Sequence, residues 1–151
     1  MANNKKVFID GEAGTTGLHL AQRLETRNDI ELIQLNPQDR KNKIARQNAL
    51  NEADIAILCL PDAAAIEAVS LAEDPETVII DASSAHRVTE GWTYGFTEYS
   101  PQQRKAIKES KRITNPGCYA IGAISLLYPL ISRDVIPRDH PLSIHAISGY
   151  S

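Results

Sequence analysis

The stretch Lys6-Val-Phe-Ile-Asp10, followed at once by Gly11-Glu-Ala-Gly-Thr-Thr-Gly17, decides the fold of this 151-residue chain. The first five residues are β-rich and predict a strand that ends at the first glycine. After the loop, apolar residues recur at helical spacing and predict a helix over residues 14–27. A strand, a glycine loop and a helix in this order are the opening unit of many nucleotide-binding α/β domains.

Each glycine of this loop has its own physical role. Gly11 permits the tight turn off the strand, Gly14 lets a phosphate approach the backbone, and Gly17 lets the helix pack close to the strand. The helix N-terminus presents free N–H groups and a partial positive charge, and Thr15 and Thr16 add hydroxyl donors. We therefore expect a pyrophosphate here. The spacing is GxxGxxG rather than GxGxxG, and the alternative is a plain turn without a ligand.

Strands and helices alternate along the rest of the chain. Strands are predicted over residues 6–10, 30–35, 54–60, 77–81, 112–114 and 142–148, and helices over 14–27, 43–51, 62–72, from 101 onward and over 118–132. Asp62 and Ser100 are the expected N-caps of their helices, and residues 82–98 are expected to be irregular. This order predicts an α/β fold, a doubly wound parallel sheet with right-handed crossovers.

The domain boundary is expected near Pro116. Residues 1–117 form the predicted Rossmann-like dinucleotide-binding domain, and residues 118–151 begin an α+β substrate or dimerisation domain. The chain stops directly after an alternating stretch that would form an edge strand, so we expect a truncated chain.

Composition narrows the function classes. The chain is 42% hydrophobic and 23% charged with a net charge of −3, as in ordinary globular proteins, and no basic block points to nucleic acid. No apolar run reaches membrane-spanning length and no signal peptide opens the chain, so a cytoplasmic location is expected. The two cysteines and four histidines show no metal-ligand spacing, and no metal is expected.

The segment after the second strand bears on the choice of cofactor. An NAD site usually places an acid at the end of that strand, and this chain has Leu35 and Asn36 there. Arg40, Lys41 and Lys43 follow and could bind a 2′-phosphate, which favours NADP. The alternative is a solvated loop, because Asp39 lies among these cations.

Cys118 is the candidate nucleophile. It lies in Asn115-Pro-Gly-Cys-Tyr119, after a predicted strand and at the start of a predicted helix, where N–H groups favour a thiolate. A thiolate beside a nicotinamide suits thioester formation and hydride transfer. A buried structural cysteine is the alternative, and it fits Cys59 within its apolar strand better.

Five segments together resemble a known family. GEAGTTG, DASSAHRV, YGFTE, NPGCYA and SGYS occur in an order similar to that of the shorter N-acetyl-γ-glutamyl-phosphate reductases. These enzymes of arginine biosynthesis resemble aspartate-semialdehyde dehydrogenases in plan. The resemblance implies that Cys118 attacks N-acetylglutamyl 5-phosphate, that phosphate leaves, and that NADPH reduces the thioester to the semialdehyde.

The resemblance also implies roles for other residues. Gly11, Gly14, Thr15, Thr16 and Gly17 would hold the cofactor pyrophosphate, with Pro61 and Ser83 near the cofactor. Arg87 would bind the acyl phosphate, whereas a surface charge is the alternative. Asn115 would orient the thiol or the substrate, or would only form the turn before Pro116. His86 is expected to pack beside Ser83 and Ser84, and His145 to be structural.

The rest of the family's pattern lies outside this chain. The general-base histidine is expected beyond residue 151, so the fragment alone should be inactive, and the full-length form should be a homo-oligomer. Two alternatives remain open: an aspartate-semialdehyde dehydrogenase, and a non-catalytic nucleotide-binding module in which Cys118 is inert.

Overall fold

The computed structural model describes residues 4–147, and its centre is one parallel sheet of six strands. The strands are β1 (Lys5–Asp10), β2 (Ile30–Ile33), β3 (Ile55–Leu58), β4 (Val78–Asp81), β5 (Thr93–Tyr94) and β6 (Arg112–Thr114). Their order across the sheet is β2-β1-β3-β4-β6-β5, and every neighbouring pair is parallel. The predicted α/β parallel-sheet fold is confirmed.

Five helices accompany these strands in the described residues: four lie between strands, and the fifth follows β6. They are α1 (Thr15–Leu24), α2 (Lys43–Glu52), α3 (Asp62–Leu71), α4 (Pro101–Glu109) and α5 (Cys118–Ile131). The β2 strand lies on one side of β1 and β3 on the other, so the strand order reverses at β1. In open parallel sheets a crevice for ligands forms at such a reversal, outside the carboxyl ends of the strands.

The core packs the middle of the sheet against α2 and α3. Its members are apolar and at most 5% exposed: Phe8, Ala49, Leu50, Ala53, Ala56, Leu58, Ala65, Ala68, Leu71 and Ile79. Alanines dominate the helix positions, which lets α2 and α3 lie close to each other and to the strands. This packing holds the ends of β1, β3 and β4 in a fixed relation.

The helix starts follow local side-chain chemistry. Asn42 caps α2 by accepting from the N–H groups of Ile44 and Ala45, and Ser100 caps α4 by accepting from Gln103 N–H at 3.0 Å. The cap predicted at Ser100 is therefore confirmed. The cap predicted at Asp62 is wrong: Pro61 is the N-cap residue, and the Asp62 carboxylate is taken by Ser84 instead.

Two strand predictions also need correction. Residues 142–147 form no strand, because no strand within residues 4–147 pairs with them, and they line a cavity next to α5 instead. Residue 148, the end of that predicted strand, and the SGYS segment at 148–151 lie outside the described residues. Within the segment expected to be irregular, Thr93–Tyr94 pairs with β6, a strand too short to leave a sequence pattern.

The α5 helix has no buried residue in the described structure, although most of its side chains are apolar. Leu126 is 74% exposed, and Ile121, Leu130 and Tyr119 are also exposed. The predicted boundary after residue 117 stays a prediction.

Candidate active site

The glycine loop turns sharply between β1 and α1. Gly11 has a φ of 92°, a left-handed conformation that favours glycine, and a Cβ there would run into the carbonyl of Cys59. Gly17 is buried, and a Cβ at this position would lie 2.7 Å from the Cα of Glu12. These two glycines are therefore required by the close approach of the loop to β3 and to itself.

Gly14 differs from the other two. It is exposed, and a Cβ there would meet only the Gly11 carbonyl oxygen at 3.4 Å, an ordinary contact distance. Gly14 precedes α1 in an extended conformation, and no side chain of the described residues caps this helix start. Thr15 and Thr16 are exposed in the first turn, which contains no acidic residue. The loop thus presents free backbone donors to solvent, as an anion site requires.

A cavity of about 330 Å³ adjoins this loop. Gly11, Glu12 and Ala13 of the loop line it, together with Leu35, Arg40 and Lys41 after β2. Nη2 of Arg40 lies 3.7 Å from Oε2 of Glu12, so one ion pair joins these two segments. Lys43, the first residue of α2, is not among the residues that line the cavity.

A buried ion pair supports the base of the loop. Asp10, the last residue of β1, is 4% exposed, and Arg46 of α2 is 8% exposed. The Arg46 guanidinium donates to Asp10 Oδ2 from Nη2 at 2.9 Å and from Nε at 3.0 Å, and Nη1 donates to Glu67 at 3.1 Å. Sequence reasoning missed Arg46, although it shares the helical spacing of the buried positions Ala49, Leu50 and Ala53.

The turns after β3 and β4 are tied together by Asp62 and Ser84. Ser84 donates to the Asp62 carboxylate from its N–H at 2.9 Å and from its hydroxyl at 2.7 Å. These hydrogen bonds lower the pKa of Asp62 below its ordinary value. Pro61, expected near the cofactor, therefore lies at the junction of these two turns.

A second carboxylate organises the turn after β4. Asp81 is fully buried and accepts from Ser83 N–H, from Ser83 Oγ and from His86 Nδ1. The His86 ring stacks on Trp92 with centroids 4.2 Å apart. Ser83 is 7% exposed, and its hydroxyl donates to Asp81 within this turn.

Arg87 lies in space beside the loop that leads to Cys118. Its Nη2 donates to the Ala82 carbonyl at 3.2 Å, and a Cβ on Gly117 would lie 2.8 Å from Nη1. The Arg87 Nε is buried and has no hydrogen-bond partner within the described chain. The structure therefore brings Arg87 to the residue that precedes Cys118.

Cys118 is exposed and opens α5, with Gly117 as the N-cap residue. Asn115 N–H donates to the Asp81 carbonyl at 2.7 Å, while its exposed side chain lies 3.4 Å from the Pro116 carbonyl oxygen. The loop before Cys118 is thereby fixed to the end of β4.

The two cysteines occupy different environments. Cys59 is half-buried, and burial together with the negative charges of Asp10 and Asp81 raises the pKa of its thiol. Cys118 lines a cavity of about 720 Å³ between α5 and residues 142–147. His145, expected to be structural, lines the same cavity from a segment without regular structure.

Residues 4–147 bring no three side chains of the His, Cys, Asp or Glu type together in a way that could hold a metal ion. Across the same residues, no helix combines the length and the apolar character needed to cross a membrane.

Comparison with known proteins identifies the family. A family model described as the NAD binding domain of semialdehyde dehydrogenase matches residues 6–108. The chain belongs to the semialdehyde dehydrogenase family. The match covers the glycine loop, the turns after β3 and β4, and Arg87. This part of the chain is therefore an NAD(P)-binding domain.

Several relatives of this chain are named as N-acetyl-gamma-glutamyl-phosphate reductases. N-acetyl-gamma-glutamyl-phosphate reductase 2 of Pseudomonas putida is 54% identical over 145 residues, which cover 96% of this chain and 46% of the relative. N-acetyl-gamma-glutamyl-phosphate reductase of a Chelativorans species is 55% identical over 146 residues, 97% of this chain and 47% of the relative. The chain thus spans about half the length of these relatives.

Solved structures of semialdehyde dehydrogenases share the fold. Aspartate semialdehyde dehydrogenase from Francisella tularensis aligns with a TM-score of 0.62 at 20% identity, over 86% of this chain and 41% of that one. The enzyme with NADP from Candida albicans aligns with a TM-score of 0.61 at 15% identity, over 87% of this chain and 48% of that one. At these identities the likeness concerns the fold alone.

Proposed function

We propose that the full-length protein reduces N-acetylglutamyl 5-phosphate to N-acetylglutamate 5-semialdehyde with NADPH, in arginine biosynthesis. The observation that carries this proposal is the placement of Arg87 against Gly117, next to the exposed thiol of Cys118. An arginine beside a nucleophilic cysteine suits a substrate that carries both an acyl carbon and a phosphate. The 54% identity to reductases of this name supports the choice of substrate.

Cys118 performs the covalent step. Its thiolate attacks the acyl carbon, the bond from that carbon to the phosphate oxygen breaks, and phosphate leaves with its electron pair. Arg87 binds the phosphate group through its guanidinium, which matches phosphate oxygens in geometry and charge. A thioester on Cys118 results, and Asn115 orients the thiol or the substrate.

The loop between β1 and α1 fits a dinucleotide. Gly11 and Gly17 sit where a Cβ would collide with the backbone, whereas a Cβ on Gly14 would meet only the Gly11 carbonyl oxygen at 3.4 Å, which leaves this part of the loop open to a phosphate. Gly11, Gly14, Thr15, Thr16 and Gly17 hold the pyrophosphate, with Pro61 and Ser83 near the rest of the cofactor. When bound, the reduced nicotinamide supplies the hydride that converts the thioester to the aldehyde and frees the thiolate.

The 2′-phosphate of NADP is assigned to Arg40 and Lys41, since both line the cavity beside the glycine loop. Dissociation constants for NADPH and NADH test this assignment. Arg40→Ala should weaken NADPH binding at least about tenfold and NADH binding less than about twofold. Lys43→Ala is the matched control, because Lys43 lies outside the cavity. Equal losses for both cofactors in Arg40→Ala would remove Arg40 from 2′-phosphate recognition.

The proposed reaction is tested in the full-length protein with two acyl phosphates. Turnover of N-acetylglutamyl 5-phosphate, with little turnover of aspartyl phosphate, is expected; the reverse preference would make the protein an aspartate-semialdehyde dehydrogenase. Cys118→Ser should lower kcat by on the order of 10³ or more, whereas Cys59→Ala should keep most of the activity. Unchanged turnover by Cys118→Ser would remove Cys118 from the mechanism, whereas a wild-type protein that turns over neither acyl phosphate would favour the non-catalytic module.

The remaining parts of the proposal concern the full-length protein. Residues 1–117 form its cofactor domain and residues 118–151 begin its substrate domain, which agrees with an α5 rich in apolar but unburied side chains. The general-base histidine lies beyond residue 151. The protein acts in the cytoplasm and forms a homo-oligomer. Light scattering of the purified full-length protein would check the oligomeric state.

A further inference from the structure

The carboxylate of Asp81 is the fixed point of the turn after β4. It accepts from Ser83 N–H at 2.9 Å, from Ser83 Oγ at 2.7 Å and from His86 Nδ1 at 2.7 Å. Because a carboxylate oxygen accepts hydrogen bonds, the 2.7 Å contact is assigned as the Nδ1–H of His86 donating to Asp81 Oδ2. Asp81 is fully buried, and each of these donors offsets part of the cost of burying its charge.

His86 is held from a second direction. Its ring stacks on the indole of Trp92 at an interplanar angle of 14°, and Trp92 in turn packs against the hydrophobic core. The residue is only 8% exposed. In-plane hydrogen bonding to Asp81 and facial stacking on Trp92 together define both the position and the tilt of the ring.

The neighbouring residue, Arg87, takes its place from this turn. Its guanidinium donates to the carbonyl of Ala82, which belongs to the same turn, and lies against Gly117 without a hydrogen bond to that loop within the described residues. The backbone around Arg87 forms a turn in which the N–H of Thr89 donates to the His86 carbonyl at 3.1 Å. Arg87 therefore reaches Gly117 because its own turn is rigid, not because the cysteine loop holds it.

We propose that Asp81 and His86 are positioning residues that aim the Arg87 guanidinium at the phosphate of the substrate. This inference rests on the proposed function. Loss of the Asp81–His86 hydrogen bond loosens the turn, and Arg87 then leaves Gly117. In this role neither Asp81 nor His86 touches the substrate.

The test measures steady-state kinetics of the full-length protein with His86→Phe and His86→Asn. Phenylalanine keeps a ring against Trp92 and removes the donor to Asp81, whereas asparagine keeps an N–H donor near the position of Nδ1. His86→Phe should raise KM for the acyl phosphate about tenfold and KM for NADPH less than about twofold, and His86→Asn should recover part of the loss. Thr89→Val, which removes a hydrogen bond of the same turn that does not involve Asp81, should stay near the wild-type values.

A double-mutant cycle separates positioning from general destabilisation. In an Arg87→Met background, His86→Phe should add little to KM for the acyl phosphate, because the residue it positions is already absent. Independent effects of the two substitutions would overturn the proposal. So would a His86→Phe protein with a lowered Tm and an unchanged KM for the acyl phosphate. Should His86→Phe fail to fold, His86→Leu removes the same donor to Asp81 with a smaller side chain and gives the same comparison.

Crystal structures of the His86→Phe and Thr89→Val variants test the positioning role without relying on the reaction. The guanidinium of Arg87 should leave Gly117 in His86→Phe and stay there in Thr89→Val; an unmoved guanidinium in His86→Phe would overturn the positioning role. A wild-type protein that does not turn over N-acetylglutamyl 5-phosphate would defeat the proposed function alone, since the displacement of Arg87 is measured independently.

Discussion

Arg46 and Asp10 form a buried ion pair, in which Nη2 of the guanidinium lies 2.9 Å from Oδ2 of the carboxylate. The pair joins α2 to the last residue of β1, and Gly11 follows directly. It therefore fixes the point from which the glycine loop departs. Glu67 of α3 binds the same guanidinium at 3.1 Å, so two helices share the contact.

Arg46→Met should strongly destabilise the fold. The methionine fills much of the space but leaves the carboxylate of Asp10 buried without its partner, which costs about 3–5 kcal/mol. The free energy of unfolding, from chemical denaturation, measures this cost. Lys6→Met is the control, because Lys6 pairs with Glu52 at 2.6 Å on the surface, and its stability should be close to that of the wild type. Similar losses in both variants would show that burial of the Arg46 pair is not decisive.

Gly17→Ala and Gly14→Ala should affect different properties. A Cβ at Gly17 collides with the backbone of residues 11 and 12, and Gly17→Ala should lose about 1–3 kcal/mol of stability or more. A Cβ at Gly14 meets only an ordinary contact, so Gly14→Ala should fold normally and bind NADPH more weakly. Thermal unfolding and cofactor titration of each variant check this division. Normal NADPH affinity in Gly14→Ala would move the phosphate away from Gly14.

Iodoacetamide should label Cys118 well before Cys59 at neutral pH. Cys118 is exposed, whereas the raised pKa of Cys59, caused by burial and by the charges of Asp10 and Asp81, keeps that thiol protonated. Mass spectrometry after timed labelling over a pH series gives both rates, and NADP should protect Cys118 if it lies at the nicotinamide. Equal rates at all pH values would contradict the difference in environment.

The same pKa shift has a consequence for stability. The pKa of Cys59 is higher in the folded protein than in the unfolded one. The protonated thiol therefore makes its full contribution to the free energy of unfolding below the unfolded pKa of about 8.5, and this contribution is lost as pH rises through the folded pKa. Cys59→Ala should therefore flatten the fall in stability above this pH.

Gly117→Ala should impair phosphate recognition more than folding. The added Cβ would lie 2.8 Å from Nη1 of Arg87, and this flexible guanidinium can move aside at small cost. We expect KM for the acyl phosphate to rise about tenfold in the full-length protein, with Tm and KM for NADPH little changed. Combining the change with Arg87→Met should give no further loss. A clear further loss would mean that Gly117 acts on Cys118 directly.

Ser84→Ala should raise the pKa of Asp62 toward its ordinary value. The side-chain and backbone hydrogen bonds from Ser84 are the largest causes of the lowered pKa, and the substitution removes the first of them. The stabilisation from this contact is present above the unfolded pKa of about 3.9 and is lost as pH falls through the lower folded value. Carbon-detected NMR titration of Asp62 measures the shift, and an unchanged pKa would assign it to other neighbours.

Local patterns predicted much of the fold, including the place of the glycine loop between β1 and α1. The glycine loop, the apolar strands around Ala56 and Ile79, and the cap at Ser100 depend on nearby residues, and their elements lie where they were predicted. The spacing of apolar residues follows the buried face of each strand or helix, so the order of strands and helices could be predicted without tertiary contacts.

Other features depended on contacts between distant parts of the chain. Asp62 has the residue type of a helix cap, yet Ser84, twenty-two positions away, takes its carboxylate. Residues 142–147 alternate like a strand, but a strand also needs a neighbour with which to pair.

Sequence alone determined that a glycine loop, an arginine in DASSAHR and a cysteine in NPGCY occur in one α/β chain. Tertiary structure decided that Arg87 lies against Gly117, that Arg46 pairs with Asp10, and that His86 is held between Asp81 and Trp92. The physical reason is that residue types and their spacing set local conformation. Burial and hydrogen-bond partners are fixed only when the parallel strands bring their carboxyl ends to one edge of the sheet.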